Sequence, residues 1–175
     1  MVTAIRTNQL SDIEWGFLAF SLDQVHVEEG EPAVWERPEG ERGSGVLALE
    51  WGIAVRDVFP DQFLDAHWAL FAARHDHAKK LHLEEVVREA VASVGLDPDA
   101  VAEEVASGRP LHTLAKEHTE AVDEYGTFGV PTFIEGDDAA FIRFMERNRV
   151  DDLERSLDWL RWSRLNEFKR PRLPR

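Results

Sequence analysis

The sequence predicts an α/β domain in which one strand precedes four or five helices, and a β-hairpin and a last helix close the chain. Ile13, Trp15, Phe17 and Ala19 recur at period two, with Leu18 and Phe20 apolar on the opposite side, which reads as a strand covered on both faces. From Val46 to Glu124, apolar residues fall at helical spacing between Pro and Gly breaks. Phe128–Ile134 is an apolar run with Pro131 at its entry, followed by turn residues Gly136-Asp137-Asp138 and a second short apolar segment.

Met1–Leu10 reads as the end of a helix and Ile13–Phe20 as the first strand. Asp23–Gly45, with six Glu and two Pro, is a loop with a short helical turn around Pro32–Trp35. Val46–Phe59 places Val46, Leu49 and Ile53 on one helical face and is stopped by Pro60. Asp61 is the expected N-cap of Gln62–Arg74, whose stripe is Phe63, Leu64, Trp68, Leu70 and Phe71. Leu83–Val94 is closed by Gly95. Asp97-Pro98 opens a short helix with Asp at the N-cap and Pro at the first helical position, ending at Ser107-Gly108. Pro110–Glu124 is stopped by Gly126. Thr132–Glu135 and Ala140–Met145 form the hairpin, and Val150–Trp162 is a last amphipathic helix on Leu153, Leu157 and Leu160.

With 175 residues, 43% hydrophobic and 31% charged, the chain suits one domain with a sizeable core. No stretch approaches the roughly 20 apolar residues of a membrane span, and nothing at Met1–Leu10 resembles a signal peptide. The expected compartment is the cytoplasm. The net charge is −14, but residues 161–175 carry net +5, which leaves −19 on the first 160. So acidic a body argues against nucleic acid or an anionic membrane as partner, and the basic tail is expected against the acidic body. The absence of Cys excludes disulfides, thiolate metal sites and a thiol nucleophile on this polypeptide.

Pro131 cannot donate to a ladder, so it belongs at a strand's first residue, an edge or a bulge. X-Pro is also where a cis peptide costs little. A cis Val130–Pro131 bond would turn the backbone groups of Val130 outward, free to pair with a bound extended segment. Ser21 and His26 follow the first strand, and His26 reads either as a ligand-binding acid or base or as an exposed loop residue. His75, His77 and His82, with His67 nearby, invite a metal, but i, i+2 histidines point to different helix faces and no His-x-x-x-His or Glu-x-x-His pattern appears, so they read instead as solvent-exposed helix-end residues. Trp15, Trp35, Trp51, Trp68, Trp159 and Trp162 are core or groove candidates.

Gly129-Val130-Pro131-Thr132-Phe133, set in this order of elements, resembles the cis-proline loop of the DsbA family of thioredoxin-fold oxidoreductases. The likeness runs through Asn166-Glu167-Phe168-Lys169-Arg170 and is nearest to actinobacterial cytoplasmic members, which sixteen Arg against four Lys suit. It implies one DsbA-like domain over 1–175, with a thioredoxin-like part at 13–22 and 127–175 and a helical insertion at 46–125. It also implies a docking site at Gly129, Val130, Pro131 and Thr132, bordered by Ser21 and His26, for a thiol or disulfide peptide or a small-molecule thiol. No resident cofactor or metal is implied in this chain beyond a low-molecular-weight thiol, and a homodimer stays open.

In the family a central first strand and a Cys motif precede the segment that Met1–Leu10 resembles. Without that strand, two apolar strands would keep unpaired edges. The expectation is therefore a longer native protein that carries the cysteine. The alternatives are a short form that closes its sheet differently or borrows a strand from a partner, a non-redox relative similar to kappa-class glutathione transferases and hydroxychromene carboxylate isomerases, a non-catalytic peptide-binding module, and a truncated, non-functional reading frame.

Overall fold

The computed structural model describes residues 2–7, 12–142, 149–162 and 164. α1 (Val2–Arg6) covers part of the predicted first helix, and residues 8–11 lie outside the described residues. The acidic loop is more structured than its composition suggests. α2 (Leu22–Val25) opens it, and 3₁₀ turns follow at Val34–Glu36 and Glu39–Glu41. Asp23 Oδ2 accepts from the Gly45 N–H at 2.9 Å, and Gln24 Oε1 from the Val34 N–H at 2.8 Å, so two α2 side chains fold the loop back on itself.

Five helices form the middle: α3 (Val46–Val58), α4 (Phe63–His75), α5 (Glu84–Ala92), α6 (Pro98–Ala106) and α7 (Arg109–Tyr125). Asp97 caps α6, accepting from the Asp99 N–H at 3.0 Å, with Pro98 at the first helical position. Gly126 ends α7 at φ +61°, a conformation that a side chain would resist. Asp61 is not the cap of α4. Pro60 already starts a 3₁₀ turn (Pro60–Gln62), so Asp61 sits inside it and Gln62 takes the N-cap without a side-chain bond.

Trp51, Ala54 and Val55 of α3 meet Ala66 and Leu70 of α4, Val87 and Val91 of α5, and Val101 of α6 in the largest apolar cluster. The predicted α4 stripe is therefore only partly buried. Its alanines face the core, whereas Trp68 and Phe71 stay exposed. Arg6 lies over the Trp68 ring and bonds to Asp65, fastening α1 to α4.

The sheet seen among the described residues has two antiparallel strands, β1 (Thr132–Glu135) and β2 (Asp138–Phe141), in the register Thr132↔Phe141 to Glu135↔Asp138. Gly136 at φ +62° makes the tight turn, so β2 starts two residues earlier than predicted. The predicted end of that strand, after Ile142, lies outside the described residues. α8 (Val150–Leu160) lays Leu153, Leu157 and Leu160 on Phe133 and Ala4, with Ile13 and Trp15 at the margin. It stops two residues short of the predicted end: Arg161 is its C-cap, and Trp162 lies beyond it. Most of the basic tail, including the segment Asn166–Arg170, lies outside the described residues, but Arg161 pairs with Glu135 at 2.8 Å.

Ile13–Phe20 corrects the sequence reading. The segment is extended but joins no ladder among the described residues, and it is not covered on both faces: Leu18 is 61% exposed. Side chains hold it where a neighbouring strand would. The Phe17 carbonyl accepts from Arg56 Nη1 at 2.8 Å, the Ala19 N–H donates to Glu117 Oε2 at 2.6 Å, and the Ser21 N–H donates to His118 Nδ1 at 3.2 Å. α3 and α7 thus tether the extended chain.

Candidate functional site

The loop Thr127–Pro131 joins the end of α7 to β1. Its anchor is local. Thr132 Oγ1 donates to the Gly129 carbonyl at 2.7 Å, and the Ile142 N–H donates to the Pro131 carbonyl at 3.1 Å. The Val130–Pro131 peptide is cis. Gly129 is buried, and a Cβ there would stand 3.2 Å from the Phe141 ring, so the glycine permits a close approach. Phe128 packs on Phe141 with ring centroids 5.1 Å apart.

What the loop leaves open is more informative. Phe128 is 65% exposed and Val130 44%, and the Val130 N–H and C=O find no partner among the described residues. The antiparallel register extends this edge. The Pro131–Ile142 bond fixes the phase, so Phe133 and Glu135 turn their backbone groups to β2, and Thr132 and Ile134 turn theirs away. An extended ligand would meet Val130, Thr132 and Ile134 in turn.

The structure gives the other predicted residues different surroundings. Ser21 is buried and structural, its hydroxyl accepting from the Gln24 N–H at 3.2 Å as the cap of α2. Its backbone meets His118, and seven residues of helix, about 10 Å, separate His118 from Tyr125 at the end of α7. His26 is exposed, its Nδ1 2.7 Å from the Leu22 carbonyl, and it belongs to the end of α2.

Sequence reasoning missed two polar groups, His118 and Arg56, and misread a third, because His67 lies in the middle of α4 and packs among rings rather than standing at a helix end. His118 is buried against the Phe20 and Trp35 rings, and burial pushes its pKa down. Because its Nδ1 accepts from Ser21, the proton of the neutral ring is on Nε2. His67 is enclosed by Phe17, Phe63 and Phe71, and burial lowers its pKa to about 4. Arg56 donates to both Glu117 oxygens at 2.9 and 2.7 Å and to Asp57 at 2.7 Å. Burial pulls its pKa down, but the bonds to Glu117 and Asp57 outweigh that and the net shift is upward. The signal for His118 was present, since it stands four residues after Leu114 on the buried face of α7. Among the described residues no group of three or more acidic or His side chains is placed to hold a metal ion.

A cavity of about 500 Å³ opens beside the extended segment, lined by Ile5, Trp15, Phe17, Arg56, Phe63 and neighbours. Trp15 Nε1 is buried without a partner among the described residues.

A small two-stranded sheet under a last helix, joined to a larger set of helices, makes this a mixed α/β protein. The family model of the DSBA-like thioredoxin domain matches residues 58–158, from the end of α3 through most of α8, and the chain belongs to that family. The extended segment Ile13–Phe20 lies outside the matched range. No curated protein matches the chain.

Proposed function

We propose that this chain is a docking protein of thiol–disulfide oxidoreductase lineage, which holds an extended thiol or disulfide peptide along Val130, Thr132 and Ile134 and exchanges no disulfide itself. The observation that carries the reading is the exposed backbone of Val130, without a partner among the described residues and flanked by exposed apolar side chains. Family membership supports it, because enzymes of this lineage bind substrate by backbone pairing and act through a thiolate. The sequence contains no cysteine, so the 175 residues supply no such nucleophile. Backbone pairing is insensitive to the ligand's side chains, and the apolar groups around the loop add affinity.

The test combines turnover with amide exchange. The pure chain should not accelerate the reduction of a disulfide substrate by dithiothreitol. An extended peptide carrying S-methylcysteine between Val residues should slow exchange at Val130, Thr132 and Ile134. Unchanged exchange at all three amides would sink the reading. Stabilisation by glutathione, with no effect of the peptide, would move it to a small-molecule thiol and a non-redox relative.

A further inference from the structure

We propose that the preferred occupant of this loop is an extended peptide whose apolar centre is flanked by Lys or Arg. The inference rests on the docking reading above and specifies its ligand. Between residues 117 and 142 the sequence holds seven Asp or Glu and no Lys or Arg. Three of the seven are neutralised by cations brought from elsewhere: Glu117 by Arg56, Glu120 by Lys116 and Glu135 by Arg161. Asp123 and Glu124 are exposed in the last turn of α7 and have no cationic partner among the described residues.

Their position is the argument. The C-terminus of a helix carries partial negative charge, and its last turn favours cations. The last turn of this 17-residue helix has no basic residue and has two acids. That choice works against the helix locally, and a cation supplied from outside would reverse it. The same turn leads directly into Phe128 and Val130, and Val122 and Phe141 add to the exposed apolar surface there. Apolar surface edged by unpaired carboxylates is complementary to an apolar segment edged by cations.

Three labelled octapeptides with the same Val/Leu centre test this by fluorescence anisotropy. One has two Lys at each end, one has Gln there, and one has Glu. The Lys peptide should bind roughly five- to tenfold more tightly than the Gln peptide at about 20 mM salt, and the Glu peptide more weakly than either. The ratio should shrink in about 0.5 M salt. The double variant Asp123→Asn, Glu124→Gln should lower the Lys-to-Gln ratio by about threefold or more, the remainder coming from Asp137, Asp138 and the acidic body; it removes acids from a helix C-terminus and should fold at least as well. Equal binding of all three peptides overturns the charge preference and leaves docking standing. A Lys-to-Gln ratio unchanged in the double variant overturns its placement at α7. If no peptide binds, the docking reading falls as well.

Discussion

Replacing Arg56 by Met tests the idea that side chains substitute for a ladder along Phe17–Ser21. The guanidinium makes two bonds to Glu117, one to Asp57 and one to the Phe17 carbonyl, all between 2.7 and 2.9 Å. The Arg56 and Glu117 side chains are only 18% and 13% exposed. Breaking a fully buried pair costs about 3–5 kcal/mol, and an exposed pair is worth about 0–1 kcal/mol. Limited wetting places this one near about 2–4 kcal/mol, because Glu117 keeps one donor, the Ala19 N–H, while the Phe17 carbonyl loses the donor it has. With a urea m-value of about 2 kcal/mol/M, the unfolding midpoint should fall by about 1–2 M. Glu117→Gln in the Arg56→Met background should then cost little more, since the partner charge is already gone, and the cycle should give a coupling of at least about 1.5 kcal/mol. A midpoint within about 0.25 M of the parent, or additive single variants, would refute the reasoning.

Other sites give two more expectations. His67 has a folded pKa of about 4 against about 6.5 unfolded, so the unfolded chain binds the proton more readily between those values. Its stabilising effect is complete above about pH 6.5 and is lost as pH falls towards about 4, by roughly 3 kcal/mol. The drop in urea midpoint from pH 7 to pH 4 should therefore be smaller for His67→Phe than for the parent, and an identical pH dependence of the two proteins rules this out. Gly43 sits at φ +99°, where a Cβ would come within 2.5 Å of Asp23 Cγ. Gly43→Ala should cost about 1–3 kcal/mol and loosen the Asp23–Gly45 clamp, whereas Gly40→Ala, which meets open space, should stay within about 0.5 kcal/mol. Equal midpoints for the two variants would contradict the clamp.

Features written in local chemistry were legible in the chain alone. Pro and Gly mark the helix breaks, Asp97-Pro98 marks the start of α6, Gly136 marks the hairpin, and Leu153, Leu157 and Leu160 mark the buried face of α8. The proline loop was equally legible, because Pro131 at the head of an apolar run is a local signal. Pairing across the fold was not. Alternation at Ile13–Ala19 specifies an extended chain with two faces, but which backbone groups find a ladder depends on a neighbour far away in sequence. Here Arg56, Glu117 and His118 reach those groups, 39 to 98 residues away, and no period of the segment encodes that. The same holds for Ser21. Its place at the end of the segment could be read from the pattern, but only the packing of Phe20 and Trp35 on His118 makes it buried scaffold rather than open site.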